Sequence, residues 1–260
     1  MAISKECERL LEPYLSLKVL DPAMGSGHFL ARATDYLAEA ILTDPYVIPP
    51  VNLNVESELA YYRRRVVESC IYGVDLNPLA VELAKLTLWL STMAKTKPLS
   101  FLNHHLKVGN SLIGAKVTDL DEIPKAKGKK AKSIDLSRAP KQIGQFEWIF
   151  DNKIALLLES RALIAQIPTE TLHDIHNKEK WELDFEHNAE RFRLLADIWL
   201  STNFGNTISW DTYNKLLDNI QVNSSEWENL IQNKRIEKAG LIRLEKHFFH
   251  WELEFPEVFL

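Results

Sequence analysis

Cysteine is nearly absent from this chain: Cys7 and Cys70 are the only two in 260 residues. They stand far apart and in no C-x-x-C spacing, which argues against a disulfide framework or a structural zinc site and leaves buried free thiols. No apolar run approaches the roughly 18 residues needed to cross a bilayer. The start, "MAISKECERLLEPYLSL", carries charges where a signal peptide would need its apolar region. A cytoplasmic location without membrane attachment is the resulting expectation. An excess of positive charge is missing too: 31 Lys and Arg face 36 Asp and Glu, a net charge of -5. Any nucleic-acid contact must therefore come from a local basic patch. No internal repeat is apparent.

What is present is an ordinary globular composition, 46% hydrophobic and 26% charged, enough to bury a real core. The first 115 residues alternate between strand and helix signals. "LKVLD" (17–21) reads as a buried strand. After it Phe29, Leu30, Ala33, Leu37, Ala40 and Ile41 fall on one helical face. "TDPYVIPPVNLN" (43–54) is a proline-rich loop and "ESELAYYRRRVVES" (56–69) a further helix. "CIYGVD" (70–75) is the second strand, and Asn77 and Pro78 supply an N-cap and first position for "NPLAVELAKLTLWLSTMA". "HLKVGN" (105–110) is the third. This succession predicts an α/β fold with a parallel sheet and right-handed crossovers.

The character changes after Lys116. "KAKGKKAKSIDLSRAPK" (125–141) carries seven basic residues and one acid. It reads as a solvated linker or hairpin tip, or as a contact for DNA phosphates. Residues 142–246 are helical in pattern: "FEWIFDNKIALLLESRALIAQI" and "LDFEHNAERFRLLADIWL" repeat apolar residues at three- and four-residue spacing. "SWDTYNKLLDNI" and "SEWENLIQNKRIEKAGLIRLEKH" predict two shorter helices. Six of the seven tryptophans lie at or after Trp148, which fits helix–helix packing. His173 and His176 in "HDIH" could share a helical face, but no third ligand is evident, so no metal is expected.

The chemistry concentrates in "VLDPAMGSGHFL" (19–30). A strand, a Gly-rich turn and a helix bring several backbone N–H groups around one point, and Gly25 and Gly27 leave room for a ligand. Dinucleotides and S-adenosylmethionine are both held in such crevices at the carboxyl ends of parallel strands. The dinucleotide pattern G-x-G-x-x-G fails because Leu30 occupies the third glycine position. Asp21 would repel a pyrophosphate but suits a ligand carrying an ammonium and a sulfonium. Asp75, at the tip of the second strand, can accept both ribose hydroxyls, or can simply favour a helix start. Its 50-residue distance from Gly25 exceeds the usual ~20, and the extra helix and loop account for the excess. Asn110 in "GNSLIG" (109–114) could accept from an adenine amino group, or could be a turn residue.

Together, "VLDPAMGSGHFL", "YGVDLNPLAVELAKLTLWL" and "HLKVGNSLIGA" resemble motifs I, II and III of the adenine-N6 DNA methyltransferases of type IIG restriction–modification and related phage-defence systems. "HWELEFPEVF" (250–259) resembles the segment leading into the fourth strand there. The resemblance implies a Rossmann-like S-adenosylmethionine-dependent methyltransferase fold, with strands 1–3 of its sheet and a large α-helical insertion. Asp21 would then lie near the methionine amino group, Gly25 and Gly27 in the cofactor loop, Asp75 on the ribose and Asn110 at the adenine. The family often has aspartate at that last position. The candidate cofactor-binding set is Asp21, Ala23, Gly25, Gly27, Asp75, Leu76, Asn110 and Leu112, with His28 as a loop residue beside the cofactor rather than a general base.

The adenine amine is a poor nucleophile, because its lone pair is delocalised into the ring. The family answers with an Asn-Pro-Pro-Tyr/Phe motif that binds the amino hydrogens and stacks on the flipped base. None occurs in these 260 residues: "NPLA" (77–80) lacks the second proline and the aromatic, and "DPY" (44–46) and "IPPV" (48–51) are incomplete. The expectation is a fragment without a catalytic residue of its own and inactive alone. It would comprise a cofactor-binding half (1–115), a lysine-rich linker or hairpin (116–141), a helical insertion (142–246) and a segment leading toward a missing fourth strand (247–260). Double-stranded DNA is the partner expected of the complete enzyme. With the fourth strand absent, "LKVLD" would be an open sheet edge and "FFHWELEFPEVFL" an exposed apolar tail, both inviting self-association. Two other readings are an RNA-adenine or protein-glutamine methyltransferase fragment, and a non-catalytic helical binding module.

Overall fold

The computed structural model describes residues 10–48, 58–92, 102–120, 155, 160, 172–220 and 225–259. The chain divides into two compact units, Met1–Ser111 and Leu112–Leu260. The lysine-rich 125–141 and nearly all of 146–167 lie outside the described residues.

In the first unit, β1 (Val19–Asp21) is followed by α1 (His28–Thr43), α2 (Glu58–Ser69), β2 (Ile71–Asp75), α3 (Pro78–Thr92) and β3 (Leu106–Val108). The strands form a parallel three-stranded sheet in the order β1-β2-β3, with Val19 opposite Ile71 and Gly73 opposite Leu106. The protein is thus a mostly helical α/β chain with a small parallel sheet. Among the described residues β1 pairs with β2 alone.

The core of this unit gathers Leu30, Ile41, Tyr62, Val66, Ile71, Leu88 and Leu106, all essentially inaccessible to solvent. Each such side chain favours folding by about 1.5–3 kcal/mol relative to exposure. Leu30 and Ile41 of the expected face of α1 are buried together with Thr34 and Ala38, and Ala33 and Leu37 pack partly buried against the same core; Phe29 departs from the expectation and is 60% exposed. The helix begins at His28, immediately after left-handed Gly27, and at roughly 3.6 residues per turn Phe29 lies about 180° around it from the buried Ala38, on the side away from the core. Thr34 is tolerated inside because its hydroxyl donates to the Leu30 carbonyl at 2.8 Å. Asn77 caps α3 as its sequence predicts, its Oδ1 accepting from the Leu79 amide at 3.0 Å. The outer face of α3 remains apolar, with Leu79, Leu83, Leu86 and Leu90 exposed. Cys70 is a buried free thiol, pushed up to about 11 by burial.

The second unit is helical. It contains α4 (Leu172–Ser201), α5 (Trp210–Asp218), α6 (Ser225–Ile231), α7 (Lys234–Lys246) and two short helices, α8 (Trp251–Glu254) and α9 (Pro256–Phe259). Phe185, Phe192, Leu195, Tyr213, Leu216, Trp227 and Ile236 form its core. The single helix expected over 225–247 is two, because Asn233 interrupts it and caps α7 by accepting from the Arg235 amide at 2.9 Å. Trp227 is buried beneath the Arg191 guanidinium, whereas Trp181 is 55% exposed. Inside the unit, Arg193 pairs with Glu186 and Glu254 at 2.6 and 2.8 Å. Burial alone would lower its affinity for a proton; the two carboxylates outweigh that and raise it. His173 and His176 fall in α4, with side chains outside the described residues.

The expectation of an exposed aromatic tail is corrected. Phe248, Phe249, Leu253 and Phe255 are buried, while Phe259 is 47% exposed. Two helical turns draw the segment together, so that Phe249, Trp251, Phe255 and Phe259 pack on one another at ring separations of 4.9–6.2 Å. Among the described residues, no helix is long and apolar enough to cross a membrane.

Candidate functional site

The candidate residues of the first unit collect at the carboxyl ends of its strands. Asp21 ends β1, and its Oδ1 accepts from the Ala23 amide at 3.0 Å, closing a tight side-chain turn. The chain then folds back over β2: the Met24 amide donates to the Val74 carbonyl at 3.0 Å, and the Gly27 amide to the Met24 carbonyl at 2.9 Å.

Gly25 and Gly27 are both left-handed, with φ of 55° and 80°, a backbone state that disfavours other L-residues. Their surroundings differ. A Cβ at Gly27 would lie 3.0 Å from the Ala84 Cβ and 3.1 Å from its Cα, so this glycine lets the loop press on α3. A Cβ at Gly25 would meet nothing within 4 Å. The loop is open there, where a ligand needs access to the backbone.

Asp75 joins the three segments. Its Oδ2 accepts from the Gly25 amide at 2.9 Å and its Oδ1 from the Asn77 amide at 2.8 Å. Its own backbone carbonyl accepts from the Gly109 amide at 3.0 Å. The sheet register explains how this is possible. Asp21 lies opposite Gly73 and Asp75 opposite Val108, so Asp75 stands two residues further up its strand, roughly 6–7 Å. That offset brings its carboxylate level with the glycine loop. Each carboxylate oxygen accepts one amide and retains a second lone pair, so Asp75 can still receive hydroxyl donors from a ligand.

The remaining candidates are placed as follows. Ala23 and His28 are exposed beside the loop, Leu76 is 51% exposed just past Asp75, and Asn110 is half-buried two residues after β3. Leu112 belongs to the second unit and is 91% exposed. Two contributors escaped the sequence reading. Met24 is buried and pins the loop, and Gly73 makes room for it: a Cβ at Gly73 would lie 2.4 Å from the Met24 Sδ and 2.8 Å from the Leu30 Cδ1. A glycine within the strand pattern "IYGVD" is the signal that pointed to such a close approach.

The chain is similar to known methylases along its whole length. Residues 69–260 match the family model of the Eco57I restriction-modification methylase, and residues 1–119 that of the N-6 DNA methylase. One relative, from Methanocaldococcus jannaschii, is named "Putative type II restriction enzyme and methyltransferase RM.MjaORFECS2P". It is 31% identical over 109 residues, covering 38% of this chain and 9% of the relative. A second, from Streptomyces coelicolor and named adenine-specific methyltransferase PglX, is 33% identical over 110 residues, covering 38% of this chain and 8% of the relative. The matched stretch is thus less than a tenth of the length of either protein. No solved structure matches.

Proposed function

Because this chain belongs to the Eco57I restriction-modification methylase family, we propose that it forms the S-adenosylmethionine-binding part of a site-specific DNA adenine-N6 methyltransferase. The observation that carries this reading is the Asp75 carboxylate, which ties the glycine loop to the start of α3 at the open end of a parallel sheet. A Rossmann-like methyltransferase fold, with the helical region as a large insertion, is part of the same proposal, as are double-stranded DNA as partner and a lysine-rich linker, which starts after Leu120 rather than at 116 because Leu120 is buried in the core of the second unit.

The residues fit the cofactor. Open space above Gly25 admits a ligand to the backbone, and two carboxylates, Asp21 and Asp75, face a molecule with positive charge rather than a pyrophosphate. When bound, S-adenosylmethionine supplies an electrophilic methyl group on its sulfonium. The chain's own contribution is binding and orientation: Asp21 holds the ammonium, Asp75 accepts the ribose hydroxyls, Leu76 offers apolar surface to the adenine, and Asn110 accepts from its amino group. Activation of the target adenine needs groups of the Asn-Pro-Pro-aromatic kind, which these 260 residues do not contain. Calorimetric titration tests the cofactor class. S-adenosylmethionine is expected to bind and NAD not to; the reverse order would refute the reading.

A further inference from the structure

Two consecutive residues of the glycine loop rest on two residues of β2. Positions two apart in a strand share a face, so Gly73 and Asp75 stand in line, roughly 6–7 Å from one another. Met24 meets the first with its side chain. Gly25 meets the second with its amide, which donates to Asp75 Oδ2 at 2.9 Å. Between these contacts the Met24 amide donates to the Val74 carbonyl at 3.0 Å.

The seat at Gly73 has no slack. A Cβ there would fall 2.4 Å from the Met24 Sδ, 2.8 Å from the Leu30 Cδ1 and 3.2 Å from the Leu106 Cδ2, so three side chains already close over the bare backbone. Met24 is 5% exposed and shares the apolar core with Leu30, Val81, Ala84 and Leu106. A glycine inside a strand gives up packing and backbone entropy. What this one admits is the thioether, and with it a loop that lies close to the strand.

Magnitudes connect this seat to the carboxylate. A methyl group on Gly73 would have to move the sulfur by about 1 Å to reach ordinary contact distance. The bond from Gly25 to Asp75 is 2.9 Å long and ceases to be one near 3.5 Å, so a lift of about 0.6 Å breaks it. We propose that Met24 is a positioning residue: seated on Gly73, it sets the height of the glycine loop over β2 and acts through the Gly25 amide to fix the Asp75 carboxylate for the ribose hydroxyls. This rests on the reading above, in which Asp75 receives those hydroxyls.

The test is calorimetry with S-adenosylmethionine on the full chain and on Asp75→Ala, Gly73→Ala, Met24→Ala and two pairs, Gly73→Ala with Met24→Ala and Gly73→Ala with Asp75→Ala, with thermal unfolding of each. Gly73→Ala is expected to weaken binding about tenfold, the low end of what a hydrogen bond to a charged group contributes. Adding Met24→Ala removes the collision and is expected to restore most of that affinity. Adding Gly73→Ala to Asp75→Ala is expected to cost nothing further, because the effect runs through the carboxylate; a general loss of stability would instead add to it. If Gly73→Ala binds as the wild type does while Asp75→Ala is weakened, the inference fails and the cofactor reading stands. Additive losses in the pair with Asp75→Ala, or no recovery in the pair with Met24→Ala, overturn it as well. A wild-type chain that binds no S-adenosylmethionine overturns the cofactor reading and the inference with it. Should Gly73→Ala fail to fold, Met24→Ala decides: it leaves the loop unseated and is expected to weaken binding, and wild-type affinity in it would refute the role of Met24.

Discussion

The Gly25 amide donates to the Asp75 carboxylate at 2.9 Å across 50 residues of sequence. One side chain therefore shapes the glycine loop, and in the proposed function it also receives the ribose hydroxyls. Replacing it should register twice. Asp75→Ala is expected to weaken S-adenosylmethionine binding by about 1.5–3 kcal/mol, the range for hydrogen bonds to a charged group. Calorimetry giving equal affinities for the two proteins would remove Asp75 from the site.

The two glycines of the loop should separate stability from binding. Gly25→Ala places a left-handed residue in open space and should cost about 1–2 kcal/mol of stability, with a marked loss of cofactor affinity. Gly27→Ala adds a collision with Ala84 at 3.0 Å, and overpacking of that kind costs a further ~1–3 kcal/mol. Urea unfolding should rank Gly27→Ala as the less stable. The opposite ranking would mean that the contact with α3 is not the constraint at Gly27.

The chain alone is expected to transfer no methyl group to DNA, since nothing in it resembles the groups that activate the adenine amine. A tritium-transfer assay on mixed-sequence duplex DNA checks this, and turnover above background would show that another part of this chain does that work.

Lys127, Lys129, Lys130 and Lys132 lie in the basic stretch 125–141. If they meet phosphates, replacing all four by Gln should flatten the dependence of log affinity on log salt by up to about 3–4 units. An unchanged slope assigns the stretch to a solvated linker.

Among the described residues β1 pairs only with β2, and such an edge invites a further strand. Sedimentation of the isolated chain is expected to show association that rises with concentration. The aromatic tail is not expected to contribute, because it is already buried. A concentration-independent monomer with fully protected amides at 19–21 would mean that the edge is covered.

Legibility in the sequence followed the range of the forces involved. The strand at 71–75, the Asn77 cap and the glycine turn are local: apolar runs, a side chain that reaches two residues ahead, and a φ that only glycine adopts easily. Periodicity locates a helical face but not its centre: packing on the sheet centres the buried side of α1 on Thr34 and Ala38, so Phe29, at the edge of the apolar stripe, faces solvent.

From the amino-acid order alone came the parallel α/β half and the family resemblance, because each resides in short-range pattern. Tertiary structure decided what pattern cannot encode: that Asp75 reaches Gly25, that Gly73 must be bare to admit Met24, and that the tail from Phe248 folds inward. It also paired His250 with Ala115 across 135 residues. Hydrogen bonds and close contacts of this kind depend on which distant segments the sheet register and the core bring within about 3 Å, and no window of sequence contains both partners.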